Sequence, residues 1–205
     1  VYFCERDNMR RKSSETRQHI IDAAYSIFYQ SGFLRAGVDA VADAAGIAKR
    51  TLYQHFRSKD DVIAAVLERQ HQMALHRTRN WADQITGAPD QMVIMLFEKL
   101  THWAAGKQWK GSGFTRAAVE FADLPGHPAR KAARRHKAKV EAHLADKFAR
   151  QGLDAAAQVA REVMLLIEGC QSLVLIHGNL GYIDAARQAA LVLVRSHQST
   201  SGETA

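Results

Sequence analysis

Apolar side chains recur at intervals of three and four residues along almost the whole chain, which is the period of an α-helix with one buried face. The first such helix is predicted to begin with Ser14 as its N-cap and to end at Gly32. Its apolar face carries Ile20, Ala24, Ile27 and Phe28. Because no segment shows the strict alternation of a strand, the pattern predicts an all-α protein.

Two short helical segments come next and are separated by a glycine. They are predicted over 38–45 and 49–55, with Gly46, Ile47 and Ala48 in the turn between them. Two short helices joined by such a turn form a helix-turn-helix, whose second helix lies in the major groove of DNA. That helix exposes hydrogen-bond donors for base edges and phosphates, namely Lys49, Arg50, Thr51, Gln54 and His55. The residues expected to hold the two helices together are Val41, Ala42, Ile47 and Leu52.

The rest of the chain is predicted to be helical as well. Ser58, with Asp61 three residues later, resembles a capping box that begins a long helix. A basic helix is expected over 128–151, an apolar helix capped by Asp154 over 154–177, and a final helix over 184–197. Since the helix that ends at His177 is apolar over a wide arc, it is expected to be central in a core or buried against a partner.

Charge placement favours a nucleic-acid partner. The chain has a formal net charge of +7, which suits either nucleic acid or an anionic membrane surface. Nine Lys or Arg and four Asp or Glu lie between Met9 and Lys59, around the predicted helix-turn-helix. Residues 10–12 are either a solvated N-terminal tail or a mobile basic arm that reaches a minor groove or the DNA backbone. A second basic cluster on the helix over 128–151 is either a solvated face or a source of long-range attraction to DNA.

Several observations favour the cytoplasm. No apolar run approaches the ~20 residues that span a bilayer, and the apolar start of the chain is too short for a signal peptide. The two cysteines, Cys4 and Cys170, lie far apart and are expected to be reduced thiols. Met9 is a plausible natural start, with the first eight residues an extension.

The sequence offers no catalytic residue, no metal site and no cofactor motif. It lacks a GxSxG motif, a P-loop and a dinucleotide-binding fingerprint. Ten histidines are present, but His71 and His76 are five residues apart and His136 and His143 seven apart. Neither spacing places two ligands on one helix face as i, i+4 does. We therefore expect that the protein is not an enzyme.

Residues 16–68 resemble the N-terminal domain of the TetR/AcrR family of transcriptional regulators. The residues that carry the likeness are Ile20-Ile21-Asp22-Ala23-Ala24, Phe28, Gly32-Phe33, residues 38–46, Lys49, Thr51-Leu52-Tyr53, His55-Phe56 and Ser58-Lys59-Asp60-Asp61-Val62. The resemblance implies three short DNA-binding helices, a helical ligand-binding domain and a homodimer made through the last two helices. It also implies that Lys49 and the two residues after it face base edges, while Tyr53, His55 and Lys59 contact phosphates.

Three positions depart from the family pattern. Gly37 stands where Thr or Ser often begins the second helix, and Ala48 stands where Ser often caps the recognition helix. Each change removes a phosphate contact or a cap, and a cap contributes about 1 kcal/mol. Arg50 stands where many family members have Gly. Its guanidinium can donate to both O6 and N7 of one guanine. Altered specificity is therefore expected, with binding retained.

The predicted domains are a flexible basic arm or extension over 1–12, a DNA-binding domain over 13–58, an effector-binding and dimerisation domain over 59–198, and a disordered tail over 199–205. Ligand pockets are mostly apolar and aromatic, with a few polar groups. The candidate lining residues for an apolar or cationic effector are Trp81, Phe97, Trp103, Phe114, Glu120, Phe121, Ile167, Cys170 and His177. The alternative is core packing for the aromatic residues and a surface or capping role for Glu120 and His177.

The sequence therefore predicts a transcriptional repressor that a small molecule releases from a pseudo-palindromic operator. An architectural DNA-binding protein without an effector is one alternative, although about 140 residues follow the motif. An activator is the other alternative, which the sequence does not address.

Overall fold

The computed structural model describes the backbone of residues 2–84 and 88–198, and the side chains of residues 13–76 and 88–198. Within these ranges the chain forms nine α-helices and no strand, so the predicted all-α fold class is confirmed. The helices are α1 (Tyr2–Ser31), α2 (Val38–Ala44), α3 (Lys49–His55), α4 (Lys59–Gln84), α5 (Pro89–Ala104), α6 (Gly113–Glu120), α7 (Pro128–Arg150), α8 (Ala156–His177) and α9 (Gly181–Ser196).

The described residues divide into two compact units. The first comprises the chain up to Gln72 together with Gly113–Arg134, and the second comprises Met73–Ser112 and the residues from Arg135 onward. The first unit is thus larger than the segment 13–58 predicted for DNA binding, because it also includes the first part of α4, all of α6 and the start of α7.

The core of the first unit is built from one face of each of its helices. The predicted contacts between the two short helices are confirmed, since Val41, Ala42 and Leu52 are buried and Ile47 packs against the same core. Helix α6 adds its apolar face to this core through Phe114 and Ala117. The largest fully buried side chains here are Phe28, Ile20, Leu52 and Ile63.

The second unit has a separate core, made by α5, α7, α8 and α9. Its fully buried side chains include Phe97, Phe148, Val163, Ile183 and Val194. Burial of a large apolar side chain contributes about 1.5–3 kcal/mol. Each of these residues therefore contributes favourably to the stability of this helical body.

Two predicted helix caps are wrong. Helix α1 begins at Tyr2, so Ser14 lies inside it, because no glycine or proline interrupts residues 2–13. Helix α8 begins after Ala155, which has a φ of +50°, and the amide of Asp154 donates to the carbonyl of His197 at 3.0 Å. The N-cap residue of α8 is therefore Ala155 and not Asp154, whose amide ties two chain segments together. The side chains of residues 10–12 and the predicted tail over 199–205 lie outside the described residues.

The beginnings of α4 and α9 show how side chains select a helix start. At α4 the hydroxyl of Ser58 accepts from the amide of Asp61 at 3.1 Å, and Asp61 accepts from the amide of Arg57 at 3.1 Å. The predicted capping-box-like start is therefore confirmed, although the return bond from Asp61 reaches the amide of Arg57, one residue before Ser58. Helix α9 begins three residues before its predicted start at Asp184, because the Asn179 side chain accepts from the amide of Gly181 at 2.8 Å.

Two kinds of feature do not occur among the residues that the structure describes. No helix there combines the length and the apolar character that a membrane crossing requires. In the same residues, no three His, Cys, Asp or Glu side chains lie together as ligands for a metal ion.

Candidate DNA-binding interface

The turn between α2 and α3 sets the angle at which the second helix is presented. Gly46 has a φ of +63°, in the left-handed region that glycine adopts without strain. Its amide donates to the carbonyl of Asp43 at 3.0 Å, and the next amide, that of Ile47, donates to the carbonyl of Ala42 at 3.0 Å. These bonds close the end of α2 and direct the chain into α3, as a helix-turn-helix requires.

Both short helices begin without a side-chain cap. Neither Gly37 before α2 nor Ala48 before α3 provides a side-chain hydrogen bond to the helix that follows. The carbonyl of Ala48 instead accepts from the amide of Thr51 at 2.9 Å. The loss of both caps, predicted from the sequence, is therefore confirmed, and α3 depends on packing for its stability.

Helix α3 has one buried side and one outward side. Leu52 is fully buried in the core of the first unit. Lys49, Arg50, Tyr53 and Gln54 are exposed, while Thr51 and His55 are partly exposed. The six residues predicted to contact DNA from this helix are thus exposed or partly exposed, and Leu52 is the buried anchor.

Lys49, the first residue of α3, is held by a carboxylate from α2. Its ammonium lies 2.8 Å from Oδ1 and 3.1 Å from Oδ2 of Asp39. This hydrogen bond raises the pKa of the Lys49 ammonium above its ordinary value. Both side chains are more than half exposed, so the pair lies at the surface.

Lys59, the predicted phosphate contact at the start of α4, is attached to the loop between α1 and α2. Its ammonium donates to the carbonyl of Leu34 at 2.8 Å, and burial lowers the pKa of that ammonium. The amide of Leu34 donates in turn to Glu120 of α6 at 2.8 Å. The position of Lys59 therefore depends on a loop that α6 also contacts.

Two further basic residues lie beside the recognition helix and were not among the predicted site residues. The guanidinium of Arg17 lies over the ring of Phe56, 4.8 Å from its centroid. Arg17 and Arg57 line a cleft of about 550 Å³ together with His55. Both arginines are among the basic residues of the sequence around the helix-turn-helix. Only the packing of α1 against the end of α3 shows that they are neighbours.

Three of the predicted effector-pocket residues belong to the first unit. Phe114 and Phe121 are buried in its core. Glu120 accepts from the amide of Leu34 and from Arg116 Nε, each at 2.8 Å, while Arg116 donates to the carbonyl of Tyr29. All three residues therefore have roles in holding α6 to the DNA-binding helices.

The other predicted pocket residues belong to the second unit. Phe97 and Cys170 are buried in its core, and burial raises the pKa of the Cys170 thiol to about 11. His177 is exposed and stacks on Tyr182, with ring centroids 5.3 Å apart. Ile167 is partly buried at the edge of the core, and Trp103 is 45% exposed. The side chain of Trp81 lies outside the described residues.

Two features of the second unit could receive a small molecule. A cleft of about 600 Å³ between α5 and α9 is lined by Glu98, Thr101, His102, Leu180, Gly181, Ile183, Asp184 and Arg187. None of the predicted pocket residues lines this cleft. Separately, Trp103 meets Trp109 edge to face at 5.7 Å, and the indole Nε1 of Trp109 is buried without a hydrogen-bond partner among the described residues.

Comparison with known proteins places these features in a family. A family model described as bacterial regulatory proteins, tetR family, matches residues 20–66, which contain α2, α3 and parts of α1 and α4. UidR, an HTH-type transcriptional regulator of Escherichia coli K12, is 36% identical over 102 residues, or 50% of this chain and 51% of UidR. FasR, an HTH-type transcriptional activator of Mycolicibacterium smegmatis, is 43% identical over 60 residues, or 29% of this chain and 27% of FasR.

The family model matches residues 20–66 only, whereas the likeness in structure extends over most of the chain. The chain spans about half the length of UidR in their alignment. The solved structure of SAV143, a TetR-type protein of Streptomyces avermitilis, matches with a TM-score of 0.76 and 25% identity, covering 88% of this chain and 98% of SAV143. The helix-turn-helix region of this chain therefore matches the TetR family, and its helical fold is shared with a solved TetR-type structure.

Proposed function

We propose that the chain is a DNA-binding transcriptional regulator that reads DNA with α3. The observation that carries this proposal is the division of α3 into a buried anchor, Leu52, and an outward row of donors that includes Lys49 and Arg50. A helix of seven residues is about 10 Å long, which suits a major groove about 12 Å wide.

The roles of the donors follow from their places on α3 and α4. Lys49, Arg50 and Thr51, in the first turn, are assigned to base edges. The phosphate contacts are assigned to Tyr53, His55 and Lys59, and Gln54 lies between the two groups. Arginine can donate two hydrogen bonds to guanine O6 and N7, so Arg50 is the residue assigned to a G·C pair.

Replacing Arg50 with alanine is expected to weaken binding to the preferred duplex by about 1–3 kcal/mol and to relax base preference at one position. Replacing Tyr53 with phenylalanine removes only a hydroxyl and is expected to weaken binding to all duplexes alike. Affinities would be measured for duplexes selected from a randomised pool and for unselected ones. Unchanged affinities for both variants would contradict these assignments.

Two copies of the chain are proposed to pair through α8 and α9. Both helices carry large apolar side chains at the surface, including Leu165 at 69%, Ile176 at 71% and Val192 at 67% exposure. Apolar surface on one side of two adjacent helices is typical of a protein interface. A two-fold dimer would bind a pseudo-palindromic operator, with half-sites one or more helical turns apart. A footprint on a lone asymmetric half-site would contradict this dimer.

An apolar or cationic small molecule is proposed to release the DNA. The half-exposed Trp103 offers an aromatic face, which attracts cations, and Trp109 offers a buried donor without a partner. An effector must bind the DNA-free state more tightly than the DNA-bound state. A panel of such compounds is expected to include one that quenches Trp fluorescence, raises the Tm and releases the selected duplex. A panel without such a compound would favour the architectural alternative.

Repression is proposed as the direction of regulation, acting on the chromosome in the cytoplasm. Activation is the alternative, because FasR, which is 43% identical to this chain over 60 residues, carries the name of an activator. A reporter gene placed behind the selected duplex distinguishes the two directions. Expression that falls when the chain is present supports repression, and expression that rises supports activation.

A further inference from the structure

The carboxylate of Asp39 occupies a place at the DNA-reading surface that the sequence analysis did not assign. It projects from the first turn of α2 and contacts the ammonium of Lys49, the first residue of the recognition helix, through both oxygens at 2.8 and 3.1 Å. Lys49 and Asp39 are 51% and 69% exposed. A donor and an acceptor therefore stand side by side on the surface that faces DNA in the proposed function.

This pairing changes what Lys49 can contribute to binding. A free lysine attracts any phosphate and releases a counterion whatever the base sequence, which supports non-specific binding. When a carboxylate holds the ammonium, the two charges offset each other and the pair attracts phosphate only weakly. The ammonium still keeps N–H groups that can donate to a base edge. The carboxylate itself repels the phosphates of any duplex, and the only favourable contact that it can make with DNA is with a base donor such as cytosine N4.

We infer that Asp39 is a specificity-determining residue, which restrains Lys49 and so reduces affinity for DNA in general more than affinity for the preferred duplex. The inference rests on the proposed function. It adds that the residue responsible for part of the discrimination lies on α2, outside the recognition helix, and acts through its contact with Lys49.

The test is the substitution Asp39→Asn, which keeps the shape of the side chain and removes its charge. The probes are a duplex that the wild-type chain selects from a randomised pool and an unselected duplex of equal length. Affinity of the variant for the unselected duplex is expected to rise roughly threefold or more at 0.1 M salt, with the dependence of log affinity on log salt steeper by about 0.9. Affinity for the selected duplex is expected to rise less, so the ratio of the two affinities falls.

Asp43 provides a matched control because it lies four residues along the same helix, is exposed and carries the same charge. Asp43→Asn is expected to leave the ratio of affinities near its wild-type value. In a Lys49→Ala background, Asp39→Asn is also expected to lose most of its effect, since the restrained ammonium is absent. Thermal unfolding of each variant would show that it remains folded.

Equal effects of the two Asp→Asn changes would overturn the inference, because net charge alone would then explain them. A parallel loss of affinity for both duplexes in Asp39→Asn would overturn it as well. If the proposed function is wrong, the result is different, because the wild-type chain then selects no duplex from the pool. The inference and the function on which it rests are thus tested separately.

Discussion

Replacing Leu52 with alanine is expected to lower the free energy of unfolding of the first unit by about 2–5 kcal/mol. Leu52 is fully buried, so its truncation leaves a cavity between α3 and the core. Alanine favours helix at least as well as leucine, so the loss cannot come from helix propensity. Because α3 has no side-chain cap, we expect its disordering to abolish DNA binding together with the loss of stability.

Gln54→Ala is the control for stability alone, since Gln54 is exposed on the same helix but is itself a predicted DNA contact. It is expected to change the melting temperature little. Chemical unfolding followed by circular dichroism gives the stability, and fluorescence anisotropy with a labelled duplex gives the affinity. If Leu52→Ala lost affinity without losing stability, Leu52 would contact DNA directly and the placement of α3 would be wrong.

The second large effect is expected from Glu120, which joins α6 to the loop that follows α1. Its carboxylate accepts from the amide of Leu34 and from Arg116, each at 2.8 Å, and it is only 18% exposed. Hydrogen bonds to a charged group contribute about 1.5–3 kcal/mol, and removal of one partner leaves the other unsatisfied. Glu120→Ala is therefore expected to lower the free energy of unfolding by about 2–3 kcal/mol.

DNA affinity of Glu120→Ala is expected to fall as well, because the carbonyl of Leu34 accepts from Lys59 and a looser loop would release that ammonium. Glu120→Gln retains an acceptor and should cost less stability than Glu120→Ala. Val119→Ala, at an exposed neighbouring position, serves as the control. Wild-type stability in Glu120→Ala would mean that this carboxylate does not hold the loop in solution.

Local sequence patterns were sufficient to predict α3 and the start of α4, which carry most of the proposed DNA contacts. The limits of α3 follow from the turn at Gly46 and from the apolar period, and the start of α4 follows from Ser58 and Asp61. Each of these signals involves residues within about one helical turn, where side chains and backbone determine each other directly. The same reasoning failed at Ser14. Serine is a good capping residue, but the residues before Ser14 are also helical, so the helix continues through it.

Contacts between distant segments could not be predicted from such patterns. Glu120 and Leu34 are 86 residues apart, and no periodicity indicates that they bond. The polar and aromatic side chains of α6 therefore suggested an effector pocket, whereas Phe114 and Glu120 pack against or bond to the DNA-binding helices. The pair between Lys49 and Asp39 was missed for a related reason, since it depends on how α2 crosses α3.

The contribution of residues 113–134 to the core of the first unit has a consequence for synthesis on the ribosome. Chains elongate from the N-terminus, so α2 and α3 emerge well before Ala117, Phe121 and Ala129 are available to fill that core. A nascent chain that has reached only residue 72 lacks this packing. Premature termination within α5 would accordingly yield a helix-turn-helix with exposed apolar surface, suited to degradation or aggregation and not to binding DNA on its own.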